Sequence, residues 1–155
     1  MNPKRHTFLE FCVEITGYPS VVLEGTGVVD LNQQLLEDVL GSTLIAKFYL
    51  LIETVLALSD ASEREKRIRE TVLPSPLFGP VVTNLIRLWY LGYWRELPDD
   101  WRQMTSRPKP GPTDAGRTHV PSELSYIEQL SYRTARAHPP GAKPTGFGSW
   151  SRQPL

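Results

Sequence analysis

Apolar residues over the first 95 positions recur at helical spacing, and the polar residues between them supply helix starts and stops. Thr7-Phe8-Leu9-Glu10 has the form of a capping box, in which hydroxyl and carboxylate satisfy free amides at a helix start. Phe8, Phe11, Cys12 and Ile15 then share a face, and Gly17 followed by Pro19 ends a first helix. Asp30-Leu31-Asn32-Gln33 offers the same box to a second helix, with Leu35, Leu36, Val39 and Leu40 as its stripe and Gly41 as its stop. Leu44, Phe48, Leu51, Val55 and Leu58 predict a central third helix. Asp60 caps a fourth, the charged run EREKRIRE, whose apolar content is Ile68, Val72 and Leu73 and which Pro74 and Pro76 terminate. After Pro80, Val81 or Val82, Leu85, Trp89 and Tyr93 lead a fifth helix into LWYLGYW, residues 88–94.

From Glu96 the pattern changes. Residues 101–155 hold 8 of the 14 prolines, and a segment of this kind buries too little per residue to offset its ordering entropy. PSELSYIEQLSYRTARA (121–137), with Leu124, Tyr126, Ile127 and Leu130, is the one stretch there that predicts a helix. The expected fold is all-α: a compact bundle of about five helices over 1–95, then an extended Pro/Gly-rich arm over 96–155 carrying one further helix and laid over a partner. No alternation is long enough to predict a sheet, and no internal repeat is present.

Charge and chemistry narrow the function classes. The net charge is zero, with nothing global to steer the chain to nucleic acid or an anionic membrane, but residues 1–100 carry 9 basic and 14 acidic groups and residues 101–155 carry 8 and 3. Cys12 is the sole cysteine, so an internal disulfide or a thiolate metal site is not expected. The apolar run over 42–59 is interrupted by Lys47 and Glu53, which favours a buried helix over a membrane span. The opening MNPKRHTFLEFC has neither an apolar stretch nor a twin-arginine pair, so the expected compartment is the cytoplasm. GTGVVD (25–30) lacks the third small residue of a dinucleotide turn and puts Asp30 where a phosphate would sit; it predicts a loop. His6, His119 and His138 share no helix face, and Asp99-Asp100 predict a turn cap before Trp101. No cofactor motif or catalytic constellation is evident.

Two stretches have unusual content. In LWYLGYW, Trp89 and Tyr93 continue the buried stripe while Tyr90 and Trp94 fall on another side. Gly92 inside a helix would cost about 1 kcal/mol relative to alanine, which a close backbone approach there would explain. In PPGAKPTGFGSW (139–150), Phe147 and Trp150 stand among residues that propagate neither helix nor central strand, yet their rings need cover. Tyr90, Gly92, Trp94, Pro144, Gly146, Phe147, Trp150 and Pro154 are therefore the expected partner interface.

Three blocks resemble the small, or gamma, subunit of bacterial FAD-dependent sugar and polyol dehydrogenase complexes, the sorbitol dehydrogenase small-subunit family. FLEFCVEITG (8–17) resembles that family's Phe-x-x-Leu-Ser-x-x-Leu-Thr-Gly opening, LWYLGYW its Trp-Tyr-Leu-Gly block, and PTGFGSWSRQP (144–154) its Pro-Gly-Phe-Trp-x-x-x-Pro ending, with Gly148 and Ser149 intervening between Phe147 and Trp150. The matching positions are Phe8, Thr16, Gly17, Trp89, Tyr90, Leu91, Gly92, Pro144, Gly146, Phe147, Trp150 and Pro154. The resemblance implies a non-catalytic helical subunit that binds a large GMC-type, FAD-bearing dehydrogenase chain and assists its maturation. It further implies a c-type cytochrome subunit in some complexes and a periplasmic address as the alternative to the cytoplasm. Two rival readings stay open: a cytoplasmic regulatory adaptor, and a small helical enzyme using Asp99, His119 or His138.

Overall fold

Helix α1 (Pro3–Thr16) starts at its proline, a residue suited to a first helical turn, and not at Thr7. In the computed structural model, which describes residues 3–137, the Thr7 hydroxyl lies one turn inside and donates to the Pro3 carbonyl at 3.1 Å, so the expected capping box does not form. The stop is as expected: Gly17 takes φ +72° and its amide reaches the Val13 carbonyl. SVVLEG is a short helix α2 (Ser20–Gly25) that buries Leu23, and of the loop expected over 25–30 only Thr26, Gly27 and Val28 lie outside a helix.

The predicted second and third helices are two halves of one kinked element, α3 (Val29–Leu56), broken at Gly41, whose φ of 63° and ψ of 173° only glycine adopts readily. Its N-cap is Val28, so the box at Asp30 is also absent. Asp30 instead accepts from Arg5 Nε at 2.6 Å, while another Arg5 nitrogen reaches Glu24 at 3.1 Å, tying α1 to α2 and α3. The second half buries Ile45, Phe48, Tyr49, Ile52 and Val55, a stripe rotated from the one expected: Leu44 and Leu51 lie at its border and Leu58 falls beyond the helix end. The packing of both α1 and the later α5 on this helix sets that rotation. By length and composition α3 could cross a membrane. Gly41 divides it into halves each shorter than the about 20 residues a span needs, and Phe48, Ile52 and Val55 belong to the core.

Asp60 caps α4 (Ala61–Arg67) as predicted, accepting from the Ser62 amide at 2.9 Å, and Arg64 bonds Glu14 of α1 at 2.8 Å. The charged run then widens into a π-helical turn, Ile68–Val72, which brings its two apolar residues, Ile68 and Val72, into the core. Helix α5 (Gly79–Leu91) contributes Val81, Val82, Leu85, Leu88 and Trp89. Edge-to-face contacts from Phe48 to Phe11 and Phe78, at 5.8 and 5.6 Å, join α1, α3 and the start of α5.

The described residues are mostly helical and contain no strand; Trp94 and His119 form an isolated antiparallel bridge. The largest departure from expectation concerns residues 96–137, which fold onto the body and do not form an arm. Leu97, Trp101 of α6 (Asp99–Met104) and Leu130 are core residues. Trp101 Nε1 donates to the Leu77 carbonyl at 2.6 Å, and the Leu130 amide to the Trp89 carbonyl at 3.0 Å. A few large anchors, each joined to a main-chain bond, suffice to make the segment part of the same core. The single helix expected over 121–137 is two short ones, α7 (Glu123–Ile127) and α8 (Ser131–Thr134), and of its predicted stripe Leu130 alone is fully buried.

Arg107 closes the kink. Its guanidinium donates to the Leu40 carbonyl, which the break at Gly41 deprives of a helical partner, and its Cζ lies 3.4 Å from where a Cβ on residue 41 would be. Arg107→Ala should cost about 1.5–3 kcal/mol, the range for a hydrogen bond to a charged group. Gly41→Ala should cost about 1–3 kcal/mol from its backbone conformation alone. Because a Cβ at residue 41 would also press on the guanidinium that Arg107→Ala removes, urea unfolding of the double variant should show less than the summed loss.

Candidate partner-binding surface

The two family-like blocks within the described residues meet in space. Trp89 Nε1 donates to Cys12 Sγ at 3.3 Å, and the Tyr90 hydroxyl donates to the Thr16 carbonyl at 2.6 Å. Tyr18 packs on Tyr90 with ring centroids 6.4 Å apart, and its hydroxyl is 3.0 Å from Thr134 Oγ1 on α8. Burial, and after it the neighbouring Tyr18, raises the Tyr90 pKa. Burial likewise pushes the Cys12 thiol far up, against a smaller opposing effect of the Trp89 bond. A thiol held neutral and enclosed is a poor nucleophile, so Cys12 should react with a disulfide reagent only as the chain unfolds, at the same urea concentration that shifts tryptophan fluorescence.

Gly92 is the left-handed cap of α5, at φ +71°, and not an interior position, so the helix-propensity cost expected there does not arise. The close approach is real. A Cβ on Gly92 would lie 2.9 Å from Ser125 C and Tyr126 Cα, and closer still to the Ser125 carbonyl oxygen. Trp94 is 0% exposed and exchanges two main-chain bonds with His119. Gly92 and Trp94 are thus covered by the chain's own residues 119–126 and do not form an open face for another chain, while Tyr90 is half-buried against Thr16 and Tyr18. Pro144, Gly146, Phe147, Trp150 and Pro154 lie outside the described residues.

What these residues hold in place is the segment above them. Val120, Tyr126 and Ile127 line a shallow groove of about 490 Å³ on α7, and Val120, Leu124 and Tyr126 are 41–49% exposed. Apolar exposure is scattered singly on most soluble surfaces; here it is clustered and fixed. Backbone contact with Gly92 anchors it from below, and Leu124 Cδ2 lies 3.4 Å from where a Cβ on Gly27 would be. Burial and the adjacent Tyr126 phenol raise the pKa of Tyr132 beside it. Sequence reasoning assigned Leu124, Tyr126 and Ile127 to a buried stripe. The signal it passed over is Pro121 and the short ELSYI helix, too brief to bury a face.

The polar candidates do not converge. Asp99 pairs with Arg102, Asp100 Oδ1 accepts from the next amide, that of Trp101, at 2.8 Å, and the His119 ring bonds the Arg117 carbonyl at 2.8 Å; both aspartates lie within the first turn of α6, whose N-cap is Pro98, so neither caps a turn before Trp101. No group of three or more His, Cys, Asp or Glu side chains suited to a metal occurs among the described residues. His6 lines a separate cleft with Glu10, Glu14 and Glu53, where Glu14 is already paired with Arg64. No protein-family model, no curated protein and no solved structure matches the chain.

Proposed function

We propose that this chain is a non-catalytic helical subunit that docks on a larger, FAD-bearing dehydrogenase of the sugar- or polyol-oxidising type and supports its maturation. The observation that carries the reading is the fixed apolar face of Val120, Tyr126 and Ile127. Clustered apolar exposure on a rigid element is what a protein interface supplies before its partner arrives. The joining of the 8–17 and 88–94 blocks through Trp89–Cys12 and Tyr90–Thr16 adds support, since the family likeness then falls on one packed unit. Flavin and substrate chemistry belong to the partner in this proposal, with a cytochrome subunit as a further component in some complexes.

The test is co-expression with a large GMC-type, FAD-bearing dehydrogenase chain. A soluble, flavin-loaded complex is expected to co-elute. Val120→Ser with Tyr126→Ser should leave the isolated chain within about 0.5 kcal/mol of its original stability, as exposed sites usually do, yet lower recovered complex at least about tenfold, the effect of losing roughly 1.4 kcal/mol at an interface. Absence of a complex, or a complex indifferent to both substitutions, defeats the proposal.

A further inference from the structure

A groove of about 620 Å³ lies between the loop that follows the π-helical turn and the segment after Gly92, and none of the roles above uses it. Pro74, Pro76 and Pro98 stiffen its walls, and Arg87 and Arg95 are the two basic residues that line it. Both arginines are tied to one buried amide. Asn84, 2% exposed, donates from Nδ2 to the Arg95 carbonyl, while its Oδ1 accepts from the Arg95 amide at 3.3 Å and from Arg87 Nη1 at 2.7 Å. Neither arginine has a carboxylate partner. The ion pairs among the described residues engage Arg5, Arg64, Arg69 and Arg102, and Glu96, the acidic residue in the groove, is held by Arg102 at 2.8 Å.

We infer that this groove binds a carboxylate-bearing ligand, its oxygens held by Arg87 and Arg95 and its apolar part packed on the prolines. The guanidinium fork matches a carboxylate or a phosphate in two parallel bonds. Phosphate sites ordinarily add a nest of free main-chain amides. Here the prolines have none to give, and the Phe78 and Gly79 amides are already bonded to Ser75 Oγ and the Ser75 carbonyl. The volume is that of a small-molecule or short-segment site. Carboxylates reach such a groove either on a free polycarboxylate or on acidic side chains of a peptide. The site is separate from the α7 face, so the loss of either proposal leaves the other standing.

The full chain, labelled at arginine Nε, is titrated with citrate, tetraglutamate and inorganic phosphate. Saturable shifts at Arg87 and Arg95 are expected, with a dissociation constant of about 1 mM or tighter for a carboxylate probe. Arg87→Gln and Arg95→Gln, each checked by circular dichroism for an intact fold, should weaken binding at least about tenfold, a loss of roughly 1.4 kcal/mol. Arg87→Lys, which keeps the charge but not the fork, should recover only part of it. Tighter citrate binding identifies a free polycarboxylate as the source, and tighter tetraglutamate binding identifies a chain segment. Phosphate binding tighter than both, no saturable shift, or binding indifferent to the two Gln variants overturns the inference.

Discussion

Shortening the chain to residues 1–95 should abolish cooperative unfolding, whereas a chain ending at Ala137 should retain a cooperative transition in urea. The shorter form lacks Leu97, Trp101 and Leu130, all in the core. Removing a large buried side chain costs about 2–5 kcal/mol, so three exceed the lower part of the roughly 5–15 kcal/mol that stabilises a whole domain. Main-chain acceptors are stranded as well. The Leu77, Trp89 and Leu40 carbonyls lose Trp101 Nε1, the Leu130 amide and Arg107 respectively, and Trp94 loses its cover. Each acceptor left buried without a partner costs about 1–3 kcal/mol more. Near-ultraviolet circular dichroism and urea titration read the outcome directly. A sharp transition from residues 1–95 would mean that the downstream third only decorates the bundle.

Local signals in the sequence were legible where they acted locally. Gly17 and Gly41 each stop or break a helix, and Asp60 caps one, because a single residue's conformation or side chain decides the matter, whereas Gly92, expected inside a helix, ends one. The boxes at Thr7 and Asp30 failed for the opposite reason. Pro3 offers an earlier start, and Arg5, far away in sequence, claims the Asp30 carboxylate. The stripe of α3 was placed about one position off, since neighbours on two sides, and not the helix itself, choose which residues go inside. Residues 96–137 were illegible on average composition: their anchors are few, and the bond from Arg107 to Leu40 spans 67 residues. The close approach expected at Gly92 is present, but the backbone that makes it, at Ser125 and Tyr126, belongs to the same chain and not to a partner. The exposed face on α7 was hidden because Leu124, Ile127 and Leu130 have the spacing of a helix that in fact breaks before Leu130.

Gly92→Ala should destabilise the fold far more than Gly17→Ala, which provides its control. Both glycines terminate helices at nearly the same backbone angle, φ +71° and +72°. A Cβ on Gly17 meets nothing within 4 Å, whereas one on Gly92 meets the Ser125 main chain and Tyr126 Cα inside van der Waals contact. Gly17→Ala then carries only the conformational cost, about 1 kcal/mol. Gly92→Ala carries the same cost plus a collision between two backbones, which no rotamer change relieves, for a total of roughly 3 kcal/mol or more. The difference between their urea midpoints isolates the collision. Hydrogen exchange locates it: the amides of Trp94, His119 and Leu130, which bond across this junction, should lose protection in Gly92→Ala and keep it in Gly17→Ala. Since α7 rests on Gly92, the same variant should forfeit the apolar face that Val120, Leu124 and Tyr126 present. Equal stability losses in the two variants would show that the segment gives way freely, and a face that gives way freely is not one on which a partner can be held.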